Sequence, residues 1–356
     1  MSIRKRDNAR LRGFQHALTG DRDARSGYAP CTRHDGARPL MLRRAWYVAF
    51  GVLVVTSATT PLTAQRTFLK RDPCGGPIVA DSACVVTLGT GGPAPNPETS
   101  GPSTAVVVGT RVFVFDAGPG IMRRMAAAGL PIDGVASLFL THLHSDHTLG
   151  VPDVILTTWV MGRRAPMSIV GPPGTRAMTD HLMAAWAEDI GVRTEGLERG
   201  QPGGQRIAVR ETTGGTVYDS AGVRITAILV VHGSWPTALG YVIETPRRRI
   251  VISGDTRPSA AIEQAARGAD VLVHEGYPLV RLRPENRPGG EAWVAYMKAF
   301  HTSDEELGAI AARAGVKLLV VVHVVRMGGT DDEVLAGIRR GGYSGAVAIA
   351  RDLDHF

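Results

Sequence analysis

Cysteine is nearly absent: the 356 residues include three, and neither Cys31, Cys74 nor Cys84 has the spacing of a metal-binding set. A thiolate-built zinc centre is thereby excluded. Also missing is an uninterrupted apolar run of the roughly 20 residues that a membrane-spanning helix needs. No internal repeat, coiled-coil heptad or low-complexity tract is present, which sets aside solenoid and fibrous architectures. The body of the chain lacks a charge of one sign. The formal net charge is +7, but the first 64 residues hold 11 of the 40 Lys and Arg against 4 of the 33 Asp and Glu. The remainder is formally neutral, and its basicity offers no argument for a polyanionic partner.

What is there begins with a basic front end. Arg43-Arg44 precedes the apolar run Ala45 to Val55, and small residues lead to Leu62-Thr63-Ala64 before Gln65. This is the layout of a secretory signal peptide over residues 41–64, starting at Met41 and removed on export to a periplasmic or extracellular location. The competing reading is a signal anchor retained in the membrane. Residues 1–40 are Arg-rich without apolar periodicity, as expected of a disordered segment or a start codon placed too far upstream. Residues 65–82 read as a linker. Cys74 and Cys84 are the only pair beyond the signal, and in an oxidising compartment they are candidates for a disulfide worth about 2–3 kcal/mol. Two unlinked thiols are the plain alternative.

From residue 83 to 356 the pattern is regular, and at 44% hydrophobic the chain can bury a full core. Short apolar strands are predicted at Cys84 to Leu88, Ala105 to Val108, Val112 to Phe115, Ser137 to Leu140 and Met167 to Val170. The second half repeats the alternation, with strands at Arg224 to Val231, Gly240 to Glu244, Ile250 to Ser253, Val271 to His274, Lys317 to Val322 and Ala346 to Ala350. Helices are predicted over Ile121 to Ala128, Thr175 to Ala187, Ser259 to Arg267, Asp304 to Ala314 and Asp331 to Arg339. Two strand-rich halves imply an α/β fold in one domain, two sheets face to face with helices outside. The stretch up to Ser220, rich in Gly and charge, and the segment Tyr277 to Phe300 carry no such pattern. The latter is either a lid or a surface excursion.

The chemistry is concentrated in His142-Leu-His144-Ser-Asp146-His147, directly after a buried strand. Histidines two apart on extended chain point the same way, and the Asp-His pair beyond the bend can face them, so four ligands converge from six residues. Imidazole and carboxylate suit zinc, and also manganese or iron.

The hexad resembles the His-x-His-x-Asp-His signature of the metallo-β-lactamase superfamily. The likeness continues through Val231-His232-Gly233, Gly240-Tyr241, Ser253-Gly-Asp255-Thr-Arg257, His274-Glu275, His301-Thr302-Ser303 and Val322-His323, in the order of its ribonuclease Z and arylsulfatase-like branch. It implies a four-layer αββα sandwich of two mixed sheets. It further implies that His142, His144 and His232 hold one divalent metal, that Asp146, His147 and His323 hold a second, and that Asp255 bridges them. Cations about 3.5–4 Å apart acidify a shared water and can hold a substrate oxygen, making a hydrolase of ester bonds. Asp116 is similar to the family's carboxylate that orients a ligand histidine, though it could equally cap the following helix. His301 stands where the branch has a histidine that protonates the leaving oxygen; a structural histidine is the alternative. His274 and Glu275 are expected behind the ligands.

The substrate expected from these motifs is a small anionic ester, a sulfate ester or phosphodiester. The Pro-rich loop from Gly91 to Ser100 and Gly171-Pro-Pro-Gly174 look arylsulfatase-like. Only Thr245 to Ile250 fills the gap where tRNA-processing members carry a long arm, and with an export signal this argues against a nucleic-acid partner. Ribonuclease Z-type tRNA cleavage, lactone or β-lactam hydrolysis, and a non-catalytic metal-binding scaffold are the alternatives; a homodimer stays open.

Overall fold

Strands whose two faces are both to be covered read as continuous apolar runs, and each predicted run becomes one. The computed structural model describes Cys74, residues 83–198 and residues 200–356. The expected upstream extension (1–40), the expected signal peptide (41–64) and, apart from Cys74, the expected linker (65–82) lie outside the described residues. Cys74 is joined to Cys84 in a disulfide whose Cα atoms are 5.9 Å apart.

The first sheet is built from β1 (Ala83–Gly89), β2 (Ser103–Val108), β3 (Arg111–Phe115), β4 (Val135–Phe139), β5 (Met167–Gly171) and β6 (Ile207–Glu211), in that spatial order. β1 to β3 are antiparallel and β3 to β6 parallel. Its connections carry α1 (Ile121–Ala127), α2 (Ser145–Thr148), α3 (Val151–Val160), α4 (Thr175–Ala185) and α5 (Ala187–Glu195). The second sheet repeats the plan with β7 (Gly215–Ser220), β8 (Val223–Val230), β9 (Ala238–Glu244), β10 (Arg249–Ile252), β11 (Val271–Gly276), β12 (Leu318–Val324) and β13 (Ala346–Ile349). There β7 to β10 are antiparallel and β10 to β13 parallel. Its helices are α6 (Ala260–Ala265), α7 (Trp293–Phe300), α8 (Asp304–Ala314) and α9 (Asp331–Arg340).

Period-two alternation divides the apolar residues into layers. Val85, Val106, Phe113, Phe115 and Phe139 meet Ile225, Tyr241, Ile250, Val273 and Val320 between the sheets. Val86, Leu88, Val114 and Leu138 turn outward beneath α1 and α3, while Val251, Leu272 and Leu319 lie beneath α6, α8 and α9. The result is the four-layer αββα sandwich. Tyr241 donates its hydroxyl across the central layer to the Leu140 carbonyl at 2.7 Å. The C-terminal tail then returns to the first sheet, where Phe356 and Val85 exchange backbone hydrogen bonds.

Several elements depart from the sequence expectation. The stretch before Ser220 is regular, holding α5, β6 and β7; the predicted helix breaks at Trp186 (φ −102°, ψ 15°) and resumes as α5. α3, apolar on most of its surface, has no periodic signal that would separate it from a strand or loop. Tyr277 to Phe300, which carried no periodic pattern, ends in α7. Among the described residues no helix is long and apolar enough to cross a membrane.

Candidate metal centre and its surroundings

The candidate ligands sit at or beyond strand ends, His323 within the last two residues of β12 and the others after β4, β8 and β10. β4 delivers Thr141 and His142; His144 then begins α2 in extended conformation, and Asp146 and His147 follow in the helical turn. His142, Asp146 and His147 are buried, and His144 is half-buried. The Nε2 of His142 and the Nδ1 of His144 are 2.8 Å apart.

Asp116 sets the orientation of two of these rings. Its backbone is left-handed (φ 58°), which aims the carboxylate away from the following helix and toward β4. One oxygen accepts from the Thr141 amide at 2.8 Å. The other accepts from the Thr141 hydroxyl and from His147 Nδ1, each at 2.8 Å. The Thr141 hydroxyl in turn lies 3.0 Å from His142 Nδ1, so both rings are held by their Nδ1 and turn Nε2 inward. The helix-capping alternative is not used: α1 begins at Gly120 without a side-chain cap.

From the second sheet, His232 follows β8 and donates Nδ1 to the Phe300 carbonyl at 2.7 Å, leaving Nε2 3.2 Å from His144 Nδ1. Asp255 follows β10 through Gly254 (φ 60°), where a Cβ would come 2.6 Å from the Leu239 carbonyl and 2.9 Å from Thr141. Only glycine lets the two sheets approach closely there. His323, near the end of β12, also has positive φ (45°). One oxygen of Asp255 lies 3.5 Å from Nε2 of both His147 and His323 and 3.9 Å from Nε2 of His232. Asp146 is 3.3 Å from His323 Nε2 and 3.7 Å from His147 Nε2. The seven residues thus form two neighbouring triads, His142 with His144 and His232, and Asp146 with His147 and His323, while Asp255 groups with His142 and His147 and also with His232 and His301.

Electrostatics match a cation site. Burial pushes His142 well below the ordinary histidine range, lowers His144, and takes His232 down to about 4. These three are neutral at pH 7, the form that can ligate. Burial would also lower His147 and His323, but it is outweighed by Asp255 together with Asp116 at His147 and by Asp255 together with Asp146 at His323, and both are raised. Asp255 itself is held well below the carboxylate range, its burial outweighed by His323 and His147. An enclosed surplus of carboxylate charge therefore calls for positive charge among the rings. The Nε2 atoms of His147 and His323 are buried without a hydrogen-bond partner among the described residues, as donors awaiting a metal would be.

Behind the ligands, Glu275 accepts from the Thr302 amide at 2.9 Å and from His301 Nδ1 at 3.2 Å. His301 is raised because Glu275 overcomes the lowering effect of burial. One of its ring nitrogens lies within 4.8 Å of the ligating atoms of His232 and Asp255. Thr302 with Glu305 and Ser303 with Glu306 both have the sequence spacing of a capping box, and the structure uses Ser303 with Glu306. His274 does not reach the centre: alternation along β11 turns it from Glu275, and it donates Nδ1 to the Glu275 carbonyl at 2.7 Å. Sequence reasoning missed Trp235, whose indole N–H donates to His144 Nε2 at 2.8 Å; its only signal was its place three residues after a ligand histidine.

A family model described as a beta-lactamase superfamily domain matches residues 111–324. Ribonuclease Z of Mycobacterium bovis (strain BCG / Pasteur 1173P2) is 36% identical over 278 residues, 76% of this chain and 96% of that protein. Ribonuclease Z of Mycobacterium marinum is also 36% identical, over 279 residues with the same coverage. Among solved structures, the metallo-β-lactamase fold protein YhfI from Bacillus subtilis superposes with TM-score 0.56 at 18% identity, covering 78% of this chain and all of that one. Human tRNase Z, short form, gives 0.54 at 18%, covering 77% of this chain and 98% of that one. The relatives overturn two expectations, the small anionic ester of arylsulfatase type and the absence of a nucleic-acid partner, because the proteins matched along nearly their whole length are ribonucleases. The physical reason is that the missing arm is a loop feature, and loops gain and lose segments without changing the chemistry their scaffold positions. The chain is a metal-dependent hydrolase of ester bonds and belongs to the metallo-β-lactamase-fold superfamily, in its ribonuclease Z branch.

Proposed function

We propose that this chain cuts a phosphodiester of RNA, with precursor tRNA as substrate. The observation that carries the reading is the 36% identity to Ribonuclease Z of Mycobacterium bovis across 96% of that protein; the convergence of the seven side chains supports it. His142, His144 and His232 would hold one cation and Asp146, His147 and His323 the other, with Asp255 shared. Zinc is the metal we assign, because imidazole-rich sites with carboxylate partners favour it over magnesium or calcium. Two cations bound there would polarise a phosphoryl oxygen and ease ionisation of water.

The chain's own groups complete the site. Asp116 and Thr141 hold His142 and His147 in one tautomer, and the Phe300 carbonyl does so for His232, keeping the ligating nitrogens deprotonated. His301, kept protonated by Glu275, is the general acid for the oxygen that leaves phosphorus. Burial between the sheets excludes bulk water from both.

The test offers the purified, zinc-loaded chain a precursor tRNA with a 3′ trailer, bis(p-nitrophenyl) phosphate, an aryl sulfate and a cephalosporin side by side. Cleavage of the precursor at one position supports the reading; turnover of the others with intact precursor overturns it. Export through residues 41–64 is a competing proposal, since an exported chain would not meet cytoplasmic precursor tRNA; it is supported by Arg43-Arg44, the apolar run after it and the Cys74–Cys84 disulfide. A reporter active only outside the cytoplasm, fused after residue 82, should be active, and a silent fusion overturns it.

A further inference from the structure

α7 carries a row of aromatic rings that neither the metal cluster nor the core requires. Trp293, Tyr296 and Phe300 recur at positions i, i+3 and i+7, one face of the helix, while Met297 on another face is fully buried. The rings are stacked: Trp293 and Tyr296 lie 5.2 Å apart at 15°, and Tyr296 and Phe300 4.3 Å apart at 21°. The row is not sealed into the protein, since Tyr296 remains 36% exposed and Trp293 and Phe300 are half-buried.

Its inner end abuts the metal centre. Phe300 meets His232 edge to face at 5.0 Å, and Tyr296 lies 6.1 Å from His301. Gly233, next to the ligand histidine, seats this end: it has φ 52°, and a Cβ there would collide with the Phe300 ring. At the outer end the Trp293 indole N–H donates to the Met327 sulfur at 3.3 Å, which fixes the ring plane. The row therefore runs from solvent to the atoms that would hold the scissile phosphate, its ring planes nearly parallel throughout.

We propose that this aromatic face is a stacking subsite for the unpaired nucleobases beside the scissile phosphodiester. The inference rests on the RNA-cleaving reading above and names what places the strand. A flat π-face tolerates any base, whereas hydrogen-bonded readout would demand one. A stack that begins against His232 sets the spacing between the last ordered base and the reacting phosphorus. The three rings cover one another's facing sides, so the surface a base can reach is the exposed side of Tyr296, from which the row leads inward to His232.

The test measures kcat/KM for a precursor tRNA and for the same RNA with abasic residues at the two unpaired positions flanking the cut. In the wild-type chain the abasic RNA should be cut at least about fivefold less efficiently, the lower end for loss of one stacked base. Tyr296→Leu and Trp293→Leu should cut the natural RNA less efficiently by a similar factor, and the ratio between the two RNAs should fall toward one. A purely structural defect would slow both RNAs and leave their ratio intact, so a wild-type ratio in both variants overturns the subsite. A ratio of one in the wild type overturns it as well. If the wild type cuts neither RNA while hydrolysing bis(p-nitrophenyl) phosphate, the RNA-cleaving reading itself fails and takes the subsite with it.

Discussion

His301 is where a single charge has the widest reach. Its proton is retained because the Glu275 carboxylate, 3.2 Å from Nδ1, outweighs the lowering effect of burial. As the proposed general acid it could no longer donate above its raised pKa, so the rate is expected to fall on the alkaline side. Glu275→Gln removes the charge that raises the pKa, and the alkaline limb of the pH profile of kcat should move to lower pH. A limb that stays in place would show that another group limits the rate. His301→Ala should lower kcat by about 10²–10⁴, the range for a general acid, with little change in bound metal. Asp116→Asn probes the orienting network. Asparagine tolerates the left-handed backbone at this position, so the fold should persist while metal affinity falls about 10–100-fold, read by competition with a chelator.

At the scale of elements, the proposed acid His301 is only as well placed as the cap behind it. Ser303 and Glu306 close the capping box of α8, and Tyr277 exchanges backbone bonds with Thr302 and Asp304. Ser303→Ala should cost about 1 kcal/mol, seen as a lower urea midpoint, and should lower kcat beyond what the lost folded fraction explains. An unchanged kcat would detach His301 from its cap. This box was legible in the sequence, and so were the strands with continuous apolar runs, because burial on both faces leaves no ambiguity of period. The seven candidate ligands were legible for a related reason: each lies within a few residues of such a strand. α3 and α5 to β7 were not legible, the first for lack of contrast between its faces, the second because Gly and charge mask weak alternation. Trp235 stayed hidden because its partner His144 is far away in sequence, and the rings of α7 because apolar residues at helical spacing read equally as an ordinary core face.

For the molecule as a whole, the two sheets bring halves of one site together, and the tail locks the arrangement. Asp352 accepts from the amides of Thr90 and Ser100 and the Thr90 hydroxyl, and pairs with Arg124 at 3.0 Å. This fastens the loop from Gly91 to Ser100, whose Gly92 packs against the His323 ring. Asp352→Ala should destabilise by about 1–3 kcal/mol, the range for polar groups left without their partner, since the amides of Thr90 and Ser100 lose their acceptor. Calorimetry would read this, and an unchanged melting temperature would refute the latch. Substrate class was the part least legible in the sequence: near-neutral charge and a short gap after Glu244 pointed to a small ester, yet pocket walls come from loops whose shape no motif encodes. The central claim is geometric, that seven side chains from two sheets hold a pair of cations. Native mass spectrometry of the zinc-loaded chain tests it most directly: two divalent ions per folded wild-type chain are predicted, and a folded chain that binds one or none would contradict the account.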